Sequence, residues 1–204
     1  MARPRAYEQH TVVDAAKEVF WQRGLESTAI GDLEDGTGLS RSSLYLVFGS
    51  KRGLFDAALV DYLDGFVQPL LGPVEGPRAG LREAADFFRG LAALFADPQS
   101  QRGCLMINAM AELAGRDPSF TGPAAQFANR LRAAFSNALR GAVADRTLTR
   151  REATRRSELL AAATMGAWLA VRADPAAAAT TCSAVAAEII SWGRAGRPAR
   201  RRHP

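Results

Sequence analysis

Thr28–Phe55 reads TAIGDLEDGTGLSRSSLYLVFGSKRGLF, two short helices joined by a glycine turn and the start of a third. Thr28 is a candidate N-cap, because its hydroxyl can accept from a free N–H of the opening turn. Ile30 and Leu33, at i and i+3, form the buried stripe of the first helix. Gly38 stands where the chain must turn sharply, since glycine enters the left-handed region without a Cβ penalty. Ser40 caps the second helix, and Leu39 and Leu44 around it have the spacing of a hydrophobic staple. Leu44 and Phe48 then face inward.

That placement leaves Arg41, Ser42, Ser43, Tyr45 and Leu46 outward, with Val47 at the margin. Such a face suits a DNA major groove: arginine pairs bidentately with guanine, hydroxyls bond base edges or phosphates, and apolar groups meet thymine methyls. The stretch reads as a helix-turn-helix. Gly36–Phe55 also carries Arg41, Lys51 and Arg52 with no carboxylate, a local positive face for phosphates.

With the helix before it, this stretch resembles the DNA-binding domain of the TetR family of bacterial repressors. The resemblance rests on Phe20 and Gly24, on T-x-I-x-D-L from Thr28 to Leu33, and on TGLSRSSLYLVFGSKRGLF from Thr37. Its most specific part is Leu-Tyr-x-x-Phe-x-x-Lys, from Leu44 to Lys51. It implies that Arg41, Ser42, Ser43, Tyr45 and Val47 approach bases or backbone, and that Thr28 and Lys51 hold phosphates. Four positions depart from the family pattern. Leu46 and Val47 stand where polar or aromatic groups are common, Glu34 stands where a small residue lets helices cross, and Gly36 replaces a usual alanine. The last should cost its helix about 1 kcal/mol.

Across 204 residues nearly half are hydrophobic and alanine dominates, which favours an all-α protein. The net charge of +5 is a property of the end of the chain: the last twelve residues hold five Arg and no acid, and the rest balances 21 basic with 21 acidic residues. Two cysteines, without a C-x-x-C, argue against a disulfide scaffold and for a reducing cytoplasm. No signal peptide is legible at the start, and the longest apolar run, Leu159–Val171, is thirteen residues, too short for a membrane.

Residues 1–6, with Arg3 and Arg5, form an arm that suits a minor groove or a disordered end. Tyr7–Arg23 is the first helix, with a stripe at Val12, Ala16, Val19 and Phe20, and Gly24 ends it. Ser50 caps a helix running from Lys51 to about Leu70, whose N-terminus suits a phosphate. Residues 71–80, with three Gly and two Pro, read as a loop. Further helices are expected over Gly80–Ala96, Gly103–Ala114, Phe120–Val143, Glu152–Arg172 and Pro175–Trp192. These divide into a helix-turn-helix DNA-binding domain (1–50), a helical regulatory and dimerisation domain (51–192, with 51–70 as connector) and a disordered basic tail (193–204). The second domain resembles TetR-family regulatory domains in helix number and order.

No catalytic constellation, cofactor motif or metal cluster is legible. His10 and His203 lie near the two ends, without partners at motif spacing, and no phosphate loop or nucleophile elbow occurs. Gly103–Ala114 is apolar on nearly all sides yet carries Asn108 and Glu112 at i, i+4, with Met106 and Met110 likewise. Apolar walls with a few polar groups are the usual form of a small-molecule site. Phe87, Phe88, Phe127, Met165 and Trp168 are candidates to close it, against the alternative of a packed core. Cys104 opens that helix beside Arg102, a setting that lowers a thiol pKa, so a redox or electrophile sensor stands beside the plain core reading. Leu159, Leu160, Ala163, Gly166, Ala167 and Val171, with Ala184, Val185, Ala187, Ile189 and Trp192, form faces suited to a four-helix dimer interface. The expected protein is a homodimer on palindromic double-stranded DNA, released by a small hydrophobic effector. A regulator without a ligand and a helical-bundle enzyme are the alternatives.

Overall fold

The computed structural model describes residues 6–195, and every regular element among them is helical. The N-terminal arm and most of the basic tail lie outside the described residues. The chain divides into two compact units, one up to Pro69 with Leu105–Pro118, the other Leu70–Cys104 with the residues from Ser119 onward. No described helix is long and apolar enough to cross a membrane.

The first unit contains α1 (Ala6–Arg23), α2 (Ile30–Thr37), α3 (Arg41–Phe48) and α4 (Lys51–Tyr62), then a π-helical turn (Leu63–Val67) that leads into α5 (Gln68–Glu75). It also holds α7 (Leu105–Leu113), while α6 (Leu81–Leu94) belongs to the second unit. Val13, Ala16 and Phe20 are the buried stripe of α1, whereas the expected Val12 and Val19 are half-buried on its flanks. Val19 also sets the spacing of two helices. A Cβ on Gly36 would lie 2.5 Å from its Cγ2, so the glycine lets α1 and α2 approach closely. Leu33, Leu44, Leu54 and Phe55 fill the centre, and the Phe20 and Phe55 rings meet edge to face at 5.2 Å. Half of α4 is buried in this unit, through Leu54, Phe55, Ala58, Leu59 and Tyr62, so the packing does not divide at the expected residue 50.

In the second unit α6 packs on α10 (Pro175–Ala195), and α8 (Thr121–Ala144) packs on α6 and on α9 (Arg150–Ala170). Residues 71–75, expected as loop, continue α5 through Pro73. Leu71 and Val74 are buried, and the carbonyls of Val74 and Gly76 accept from Asn137 Nδ2 at 3.0 and 2.9 Å. Arg130 adds a two-pronged ion pair to Glu75. Burial and capping from a distant helix override the local Gly/Pro composition. Helix α9 starts two residues before the expected Glu152, because Thr149 and Glu152 form a capping box.

Candidate nucleic-acid interface

Helix α3 is positioned chiefly at its N-terminal end. Gly38 closes α2 with φ +72°, donating to the Glu34 carbonyl at 2.9 Å. Ser40 accepts from Ser43 N–H at 3.4 Å, and its hydroxyl lies 3.0 and 3.1 Å from those of Ser42 and Ser43. Glu34 supplies a further cap, its carboxylate accepting the Arg41 N–H at 2.7 Å. The residue that departs from the family's small one therefore fixes the first turn of α3. A carboxylate placed shortly before the turn glycine was the available signal.

The outward face is largely the expected one. Arg41, Ser42 and Leu46 are exposed, Ser43, Tyr45 and Val47 are half-buried, and Leu44 is 2 % exposed. The Arg41 guanidinium lies 5.3 Å over the Tyr45 ring, which holds a long cation in place beside the face. Leu46 is 80 % exposed, so the helix offers an apolar tip with no partner inside the described chain.

The two expected phosphate residues are engaged elsewhere. Thr28 is 1 % exposed, and its hydroxyl donates to the Gly24 carbonyl; α2 begins at Ile30 after Ala29, whose N–H donates to Asp32 at 2.8 Å. Lys51 Nζ donates to the Leu25 and Thr28 carbonyls at 2.7 and 2.8 Å, so its charge is spent on the α1–α2 turn. Arg52 pairs with Asp56 and Asp117. Of the three cations in Gly36–Phe55, Arg41 alone is without such a partner among the described residues, and the expected positive face is thinner than the sequence implied. The N-terminus of α4 remains capped by Ser50, which accepts from Gly53 N–H at 2.9 Å.

The nine expected effector-site residues are shared between the units. Met106, Asn108, Met110 and Glu112 belong to the first, where Met106 is 1 % exposed and the Glu112 carboxylate accepts the Leu25 and Glu26 N–H groups at 3.0 and 2.6 Å. Glu112 is thus a backbone ligand of the α1–α2 turn, a role set by residues 86 and 87 positions away. Phe87, Phe88, Phe127, Met165 and Trp168 belong to the second unit. There Phe87 and Phe88 close on Phe135 at 5.6 and 5.7 Å, and Trp168 meets Phe95 at 5.0 Å. Phe135 and Phe95 are the partners that the expected set of residues lacked. Two surface grooves, of about 580 and 660 Å³, are lined by other residues, the first by Val13, Val60 and Asp61 among others, the second by Leu139, Arg140 and Arg150 among others.

Cys104 is 2 % exposed, which sets it apart from the partly exposed thiols that react readily. Cys182 is fully buried, and burial pushes its thiol up to about 11. Neither thiol is expected to react with iodoacetamide in the folded protein at pH 8, and both should react in denaturant; mass spectrometry reads the difference. Since the folded pKa of Cys182 lies above the unfolded value of about 8.5, its contribution is complete below that pH and lost as pH rises towards 11. The melting temperature of the parent should therefore fall relative to that of Cys182→Ala across this window.

Residues 12–58 match the sequence model of bacterial regulatory proteins of the tetR family, and residues 80–190 match that of the tetracyclin repressor-like C-terminal domain. The chain is 35% identical over 107 residues to the HTH-type transcriptional repressor ComR of Escherichia coli, covering 52% of this chain and 51% of ComR. It is 32% identical over 118 residues to the HTH-type transcriptional regulator YezE of Bacillus subtilis, covering 58% of this chain and 61% of YezE. The chain thus spans between half and two thirds of the length of these curated relatives. A cysteine-substituted form of the TetR family regulator CifR, solved with 26-bp operator DNA, superposes with a TM-score of 0.75 at 25% identity, over 93% of this chain and 98% of that one. From its matched helix-turn-helix and its matched C-terminal helical domain, the chain belongs to the TetR family of bacterial regulatory proteins.

Proposed function

We propose that this protein is a transcriptional repressor that binds a palindromic operator as a homodimer and is released by a small hydrophobic effector. The observation that carries the reading is the outward face of α3, where Arg41 is aligned over Tyr45, hydroxyls crowd the capped N-terminus and Leu46 stands 80 % exposed. A helix N-terminus with hydroxyl donors suits phosphate oxygens, and the side chains of its next turn suit base edges. Thr28 and Lys51 act in this reading by holding the turn before α2, and DNA contact passes to Ser40, Arg41, Ser42, Ser43, Tyr45, Leu46 and Val47.

Dimerisation is carried by the outer face of α9. Leu159 and Leu169 are 60 % and 50 % exposed, and Ala162 and Gly166 lie exposed between them. The spacing of three, four and three residues is that of a helix-packing seam. On α10 the exposed residues apart from Glu188 are small, Ala184 and Ala187 among them. Leu160, Ala167, Val171, Ile189 and Trp192, which the sequence also assigned to the interface, are buried within the protomer.

The effector is assigned to the second unit, where two separate aromatic groups, Phe87 and Phe88 on Phe135 and Trp168 on Phe95, supply apolar surface. An effector releases DNA only as far as it binds the DNA-incompetent conformer more tightly.

Selection from a random duplex pool at about 150 mM salt, where nonspecific binding is suppressed, tests the reading. The expected product is a palindrome with two like half-sites. Arg41→Ala should relax the preference at one position in each half-site, by about 1–3 kcal/mol per lost bidentate contact. Competition binding with each base at that position measures this. A variant that keeps the parent's full preference would remove Arg41 from the reading face, and no enrichment by folded parent protein would remove the repressor reading.

A further inference from the structure

The turn between α1 and α2 has its polar backbone groups held from three sides. Gly24 N–H donates to the Phe20 carbonyl at 2.8 Å, and the Gly24 carbonyl accepts the Thr28 hydroxyl. The Leu25 and Thr28 carbonyls accept from Lys51 on α4, and the Leu25 and Glu26 N–H groups donate to the two carboxylate oxygens of Glu112 on α7. Arg116 lies 3.8 Å from Glu26, and Asp117 pairs with Arg52 near the start of α4. Helix α2 begins at Ile30, four residues after the second amide that Glu112 holds. The orientation of α2 is passed to α3 through the Gly38 turn and the Glu34 cap on Arg41.

We propose that Glu112 is a positioning residue for operator binding: it holds the α1–α2 turn so that α2 and α3 present the reading face at one angle. This rests on the operator-binding reading above and adds a residue that lies outside the helix-turn-helix. Glu112 is half-buried and gives each amide its own oxygen. A neutral amide side chain keeps one acceptor and turns its NH2 group against the second backbone N–H, which frees one side of the turn.

Charge gives the test its sign. Glu112→Gln removes a negative charge from a DNA-binding unit, so electrostatics alone would tighten binding to any duplex. The clamp predicts the opposite for the operator. Against a duplex selected by the parent protein, the variant should bind about 10- to 100-fold more weakly, within the range that misplaced base contacts cost. Against a scrambled duplex of the same composition its affinity should be unchanged or higher. The amides of Leu25 and Glu26 should exchange with solvent faster. Glu112→Asp retains the charge but is one methylene shorter, so it should weaken operator binding to an intermediate degree, and it keeps the test open if Glu112→Gln folds poorly. Operator affinity equal to or above the parent's in both variants would overturn the proposal and leave the repressor reading standing. Failure of the parent itself to select any duplex would overturn both.

Discussion

Gly24→Ala is expected to lower the melting temperature by roughly 10 °C. Gly24 has φ +83°, a left-handed conformation that costs an L-residue with a side chain about 1–2 kcal/mol. The added Cβ would also stand 2.6 Å from Glu112 Oε2, far inside contact distance. Oε2 would have to withdraw from the Leu25 N–H, and a hydrogen bond to a charged group contributes about 1.5–3 kcal/mol. Together these come to about 3–5 kcal/mol, and in a chain of this size each kcal/mol moves the midpoint by about 2–4 °C. Gly38→Ala separates the two causes. Gly38 has a similar φ of +72°, but a Cβ there meets nothing within 4 Å, so only the backbone cost of about 1–2 kcal/mol applies. Thermal melts of both variants give the steric part by difference. Adding Glu112→Ala to Gly24→Ala should cost less than the sum of the two single changes, since each removes the same clamp. Simple additivity would mean that the carboxylate moves aside freely, which would contradict the positioning role argued for Glu112.

The interactions that the sequence revealed are those made within a few residues. Ser40 as cap, Gly38 as turn and Leu44 as inward anchor all follow from spacings of at most four positions, and α3 forms as those spacings require. The same locality explains the errors. Thr28 precedes α2 and has the cap residue's chemistry, yet a carbonyl four residues earlier takes its hydroxyl. Lys51 looked like a free charge at a helix N-terminus, because the carbonyls that capture it lie 23 and 26 positions away. Glu112 looked like the polar spot on a pocket wall, because nothing in its own helix shows that two backbone amides wait for it. Residues 71–75 were hidden by their Gly and Pro content: the Asn137 and Arg130 side chains that hold this segment stand on α8, which follows much later in the chain. The Thr149–Glu152 box, by contrast, is a local signal that stood in the sequence and marks the start of α9.

Leu159→Arg together with Leu169→Arg is expected to abolish operator binding while leaving the fold intact. Both side chains are mostly exposed within the protomer, so replacing them should change stability by no more than about 0.5 kcal/mol each. In a two-fold interface every residue on the seam meets its own copy or a near neighbour, so the variant would bring four guanidinium groups to one apolar contact. Like charges desolvated together have no compensation there. The parent should sediment as a dimer, and the variant as a monomer with an unchanged far-UV circular dichroism spectrum and a melting temperature lowered only by the lost association. The loss on DNA should be about 10²–10⁴-fold, because a tethered second head binds as an intramolecular event and a free one does not. Binding to a duplex with a single half-site provides the control, since it needs one head and should be the same for both proteins. If the variant lost half-site binding as well, the damage would lie in the head and would say nothing about the interface. If it stayed dimeric and bound the full operator like the parent, the seam of Leu159, Ala162, Gly166 and Leu169 would face solvent, and another surface would have to set the spacing of the two heads.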